Sequence, residues 1–134
     1  MLVGRLLHAA LLVTDLERAK HFYGEVLGLI EKPRHSFNFD GAWYDLGECE
    51  LHLIVTPENL LAAEDRPRRD CHVAFSIEDY DGTKRALKAA GVDYREGTSG
   101  LAQLFIRDPD GNLIELQKRS ADVADRADTS QVKF

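Results

Sequence analysis

Two of the five histidines, His8 and His72, open segments that read alike: His8-Ala9-Ala10-Leu11-Leu12-Val13 and His72-Val73-Ala74-Phe75-Ser76-Ile77. In a strand, successive side chains point to opposite faces. Leu7, Ala9, Leu11 and Val13 then form one apolar row, and His8 lies on the other with Ala10 and Leu12. The same parity sets His72 opposite Val73, Phe75 and Ile77, and Glu115 opposite Ile114 and Leu116. Glu50 and His52 share a face opposite Leu51, Leu53 and Val55. Two imidazoles and a carboxylate make a facial donor set that leaves coordination positions open for water or substrate, and a fourth donor still fits an octahedral shell. Taken singly, a strand histidine is more often a hydrogen-bonded residue than a ligand. It is the joint parity of His8, His72, Glu115 and either Glu50 or His52 that points to a divalent metal.

The elements carrying these residues form a repeat. An offset of 64 residues carries His8 onto His72, Asp15 onto Asp79 and Lys20 onto Lys84. Leu16, Ala19, Phe22, Tyr23 and Val26 follow helical spacing, as do Tyr80, Thr83, Ala86, Leu87 and Ala90. Thr14 with Glu17 has capping-box spacing, and Asp79 can cap the second helix alone. Gly28 and Gly91 suit left-handed C-terminal caps. Strands are expected over 5–13, 29–33, 41–47 and 49–55, and again over 71–77, 92–96, 102–107 and 113–118. Asp108-Pro109-Asp110-Gly111-Asn112 marks the last turn. The order is β-α-β-β-β twice, an α+β fold. One module spans 1–55, a polar linker 56–70, the second module 71–118, and a tail, expected to be disordered, 119–134.

Composition narrows the function. The chain has 134 residues, 44% of them hydrophobic, enough for one core-forming domain or two small modules. With 17 basic against 23 acidic residues the net charge is −6, which argues against nucleic acid and anionic membrane as partners. Two cysteines make no disulfide framework. The apolar run from Leu6 to Val13 is too short to span a bilayer. A soluble cytoplasmic protein is expected.

Three motifs resemble the vicinal oxygen chelate superfamily, which holds glyoxalase I, fosfomycin-resistance proteins, extradiol dioxygenases and bleomycin-resistance proteins. His8-Ala-Ala-Leu-Leu-Val-Thr-Asp15 through Phe22-Tyr23-Gly-Glu-Val-Leu27-Gly28-Leu29 resembles its opening signature. His72-Val-Ala-Phe-Ser-Ile-Glu-Asp79 resembles the start of its second module, and Asp108-Pro109-Asp110-Gly111-Asn112-Leu-Ile-Glu115-Leu the hairpin that carries its last ligand. The resemblance covers about residues 4–118. It implies two tandem modules curling into a U-shaped half-barrel around one divalent ion (Mn, Ni, Zn, Fe or Co), held by His8, His72, Glu115 and a donor from the strand Glu50-Leu51-His52-Leu53. His52, nearer the middle of that strand, is the expected donor. Glu50 and His52 are about 7 Å apart along the strand, so one ion is not expected to take both. Glu115 or Glu50 would move the proton. The implied function is a lyase, isomerase, thiol transferase or dioxygenase acting on neighbouring oxygens of a small substrate, in a homodimer. The alternative is a metal-free sequestering protein of the bleomycin-resistance type. Trp43 and Tyr44 have opposite parity, so one is expected to face the cleft. Arg107 either binds a substrate anion from the face of Gln103 and Phe105 or lies at the surface beside Asp108.

Overall fold

The computed structural model describes residues 1–57 and 71–119. The expected linker (56–70) and tail (119–134) fall almost wholly outside these residues. Packing divides the chain into two units: Met1–Cys71 with Arg107–Leu113, and His72–Ile106 with the residues from Ile114 onward.

The first unit holds β1 (His8–Val13), α1 (Leu16–Lys20), a π-helical stretch His21–Val26, β2 (Ile30–Lys32), β3 (Gly41–Asp45) and β4 (Glu50–Val55). Its sheet order is β1-β4-β3-β2, with β1 and β4 parallel and the other neighbours antiparallel. The alternation in the sequence is kept. Val13, Ala42, Tyr44, Leu51 and Leu53 are buried on one face, together with Ala19, Phe22 and Tyr23 of the helical segment. Phe22 and Tyr23 are consecutive, and the wide π turn accommodates both as buried residues. Asp15, not Thr14, is the N-cap: its carboxylate accepts from Arg18 N–H at 3.0 Å. The capping-box expectation fails because the Thr14 hydroxyl is used elsewhere, donating to Asp110 Oδ1 at 2.5 Å.

That bond belongs to a clasp built by the Asp108–Asn112 turn, which packs with the first unit. Asp110 Oδ2 also accepts Thr14 N–H, and Asn112 Nδ2 donates to Leu12 O at 2.8 Å. Asp108, 4% exposed, accepts from Tyr23 Oη (2.6 Å), Asp110 N (2.9 Å), Asn112 N and Asn112 Nδ2 (both 2.8 Å). Burial, then the adjacent Asp108 carboxylate, pushes the Tyr23 hydroxyl far up, so it remains a donor at working pH. Gly111 closes the turn at φ 87, where an L side chain is strained. Gly111→Ala is expected to cost about 1–2 kcal/mol. Urea unfolding measures it, and an unchanged midpoint would contradict the strained geometry.

The second unit holds β5 (His72–Ile77), α2 (Tyr80–Ala89), β6 (Tyr94–Glu96), β7 (Gln103–Arg107) and β8 (Leu113–Lys118), in sheet order β5-β8-β7-β6. Asp79 caps α2 as expected, accepting Gly82 N–H at 2.9 Å. Gly28 and Gly91 adopt the expected positive φ. Leu87, Leu104, Ile106, Ile114 and Leu116 are buried, whereas Ala86 and Ala90 of the projected helix face are exposed.

At the outer end of this unit, Glu96 Oε1 accepts from Lys84 Nζ at 3.0 Å and from Tyr80 Oη at 2.9 Å. The Lys84 contact, then the Tyr80 hydroxyl, holds the Glu96 carboxyl below its ordinary range. A carboxyl with a folded pKa below its unfolded value of about 4.3 stabilises the fold above that pH, and the contribution is lost as pH falls through the folded value. The pair is solvent-screened and the margin small. Glu96→Gln is therefore expected to lower Tm slightly at pH 7 and not at pH 2. An equal deficit at both pH values would contradict the linkage.

Candidate functional site

Each sheet turns a second face away from its helix, and each such face carries a donor pair. In the first unit the rings of His8, His52 and Trp43 stack across β1, β4 and β3. His8 and His52 centroids are 4.0 Å apart with planes at 12°, and His52 and Trp43 are 4.4 Å apart at 8°. Both faces of the His52 ring are covered, so only its edge is left for a polar partner. Its Nε2 lies 3.3 Å from Glu50 Oε1. Glu50 Oε2 is 2.5 Å from Lys32 Nζ. The Lys32 ammonium, then His52, holds the Glu50 carboxyl below its usual range, so it is ionised at neutral pH.

The 7 Å rise between Glu50 and His52 therefore does not separate their tips. The two side chains lean together, and the expectation that one ion cannot reach both loses its geometric basis. Trp43 is the aromatic on the histidine face, while Tyr44 is core, 1% exposed, its hydroxyl pushed up to about 12 by burial.

In the second unit His72 Nε2 lies 3.0 Å from Glu115 Oε2, and Gln103 Nε2 donates to Glu115 Oε1 at 2.5 Å. Ser99 Oγ donates to Gln103 Oε1 at 2.7 Å, which orients the amide. Phe105 meets His72 edge to face at 6.3 Å, and the Arg95 guanidinium covers the Phe105 ring at 4.7 Å. Arg107 is tied to the clasp, donating to Gly111 O at 2.9 Å.

Donor chemistry in both units suits a divalent ion, and in the second unit the donor spacing does too. Two donors each about 2.1 Å from one ion and at right angles are about 3.0 Å apart, which the His72–Glu115 spacing of 3.0 Å matches. Among the described residues, no group of three or more His, Cys, Asp or Glu is gathered as a metal cluster. His21 pairs with Glu25 at 2.7 Å and has no part in either pair.

Lys32 and Gln103, as partners of the two carboxylates, were not assigned these roles from sequence. Parity grouped Gln103 with Phe105 and Arg107 on one face without deciding whether that face meets Glu115, and nothing in a single sequence signals which carboxylate an amide meets. Cys49 borders the recess beside His52, although strand alternation counted back from Leu51 would set it on the opposite face. It precedes β4, so strand alternation does not govern it. Gln103→Leu removes the donor that orients Glu115. It is expected to weaken metal affinity by about 10–100-fold while leaving the fold intact, as read by metal titration. Unchanged affinity would remove Gln103 from the site.

The family model described as the Glyoxalase/Bleomycin resistance protein/Dioxygenase superfamily matches residues 5–116. The chain belongs to this superfamily. Among the glyoxalase relatives, Glyoxylase I 4 of Arabidopsis thaliana is 33% identical over 121 residues, covering 81% of this chain and 67% of the relative. The lactoylglutathione lyase of Neisseria meningitidis serogroup A is 33% identical over 135 residues, covering 88% of this chain and 94% of its own. A solved structure from Bacillus anthracis, placed in the glyoxalase family, superposes with TM-score 0.72 at 25% identity over 88% of this chain and 97% of that one. The superfamily fold of two tandem modules is thus the fold seen here. Among the described residues, no helix is long and apolar enough to cross a membrane.

Proposed function

We propose that this chain is a divalent-metal-dependent, glyoxalase-like enzyme acting on a small cytoplasmic substrate through two neighbouring oxygens. The observation that carries the reading is the His72–Glu115 contact on the open sheet face of one unit, with His8 and His52 side by side on that of the other, in a member of the glyoxalase superfamily. We assign these four as ligands of one ion of the Mn, Ni, Zn, Fe or Co kind. Such an ion, when bound, supplies Lewis acidity toward adjacent substrate oxygens.

The chain's own residues do the rest. The ring stack fixes the His52 edge, Gln103 orients Glu115, and Lys32 keeps Glu50 ionised beside His52. Glu50, which borders the recess, and Glu115 are the two carboxylates we assign to proton transfer. Lyase or isomerase chemistry is favoured over thiol transfer or dioxygenation by the names of the relatives, lactoylglutathione lyase above all. The competing reading is a metal-free sequestering protein. It draws on one observation, the aromatic recess of about 600 Å³ in the first unit, which can hold a ligand without any ion.

The two readings part on turnover of the methylglyoxal–glutathione hemithioacetal, fosfomycin and catechols by chelator-stripped and metal-restored protein. Turnover of at least one that disappears on stripping and returns with Mn, Ni, Zn or Fe(II) is expected. Failure of the whole panel with stoichiometric metal bound would overturn the enzyme reading.

We also propose a homodimer. β1 and β5 are edge strands within their own sheets, and edges are commonly paired or covered. Light scattering at micromolar concentration is expected to give twice the chain mass, and a monomer refutes it.

A further inference from the structure

The recess beside His8 and His52 has walls that the chelating reading alone does not require. Within the first unit it is lined by Leu7, Ile54, Phe37, Phe39 and Trp43 next to the two histidines, with charged residues at its rim. Phe37 and Phe39 come from the stretch between β2 and β3 and are 46% and 40% exposed, large apolar rings left facing water. They are nevertheless fixed. The two rings stack at 5.1 Å and 13°, and the Arg34 guanidinium lies over both at 5.1 and 5.3 Å. Arg34 Nη2 also donates to Phe39 O at 2.9 Å, and Val55 N–H binds Asp40 O, closing the segment onto β4. Phe37 then meets Trp43 at 6.0 Å with planes inclined at 51°, and His35 braces Trp43 edge-on at 5.7 Å.

We infer that this shelf takes a planar aromatic ring, so that the substrate is an aryl compound whose neighbouring oxygens reach the His8–His52 edge. A prearranged set of ring faces loses little on binding, and flat walls discriminate a flat ring from a saturated ring of similar volume. Phe37 and Trp43 are in tilted contact at 6.0 Å and line the recess together with Phe39 as one joined aromatic wall. The inference rests on the recess being the substrate site of the proposed enzyme, but its test needs neither metal nor turnover.

Trp43 is the only tryptophan of the chain, so its emission reports occupancy of this recess. The metal-free full-length chain is titrated with 2-hydroxyacetophenone and with its cyclohexyl counterpart, affinity being read by calorimetry and location by Trp43 emission. The aryl compound is expected to bind saturably, about tenfold tighter than the cyclohexyl one, and to perturb Trp43. Phe37→Leu keeps an apolar side chain but removes a ring face, and is expected to erase most of that preference. Phe39→Leu is the second variant, and circular dichroism confirms folding of both. Equal affinity for the two compounds, no perturbation of Trp43, or an aryl preference unchanged in both variants overturns the inference. Aryl binding by the metal-free chain, with no stoichiometric ion taken up when Mn, Ni, Zn or Fe(II) is then added, would sink the enzyme reading and leave the aromatic shelf standing.

Discussion

Asp108→Ala is expected to destabilise the protein by about 3–5 kcal/mol, although Asp108 belongs to neither donor pair. Its carboxylate is the common acceptor of four donors in the clasp. The alanine variant leaves the Tyr23 hydroxyl, on a fully buried residue, without its acceptor, and frees the Asn112 amide that closes the turn. A buried donor left unpaired costs about 1–3 kcal/mol by itself, and charge-assisted bonds add to that. Against a typical stability of about 5–15 kcal/mol the loss is severe. Tyr23→Phe removes one donor and keeps the other three, so about 1–2 kcal/mol is expected. Urea unfolding of the two variants decides. A cost below about 1 kcal/mol for Asp108→Ala would mean the clasp does not hold the first unit together.

Glu115→Gln is expected to have the largest functional effect. The amide is nearly isosteric and can still meet Gln103, so the fold is retained, but it is a far weaker ligand than a carboxylate for a divalent ion. Metal affinity should fall by at least about 100-fold and turnover with it. Glu50→Gln should instead retain the metal and lose turnover, because Glu50 is assigned to the proton and His52 to the ion. Loss of metal in Glu50→Gln with retention in His52→Ala would reverse that assignment.

The sequence made much of this architecture legible. Strand parity separated Leu51 and Leu53 from Glu50 and His52, and the structure keeps that separation, because the side-chain period of two is a property of the backbone. The 64-residue repeat located both helices, and their glycine caps followed. Three features escaped the pattern for one reason: they depend on which residues meet across long separations. Thr14 looked like an N-cap until Asp110, 96 residues away, claimed its hydroxyl. Glu50 and His52 seemed too far apart along the strand because rise per residue says nothing about where side-chain tips converge. Phe37 and Phe39 lie outside any strand, where no periodicity announces a shelf.

His8, His52, His72 and Glu115 are proposed to serve one ion. The most direct test is the metal content of the wild type, His8→Ala and His72→Ala after stripping and equilibration with one divalent metal. The assignment predicts one ion per chain in the wild type and none retained by either folded variant, since each removes a ligand of the same ion. A stoichiometric ion kept by either variant would contradict it.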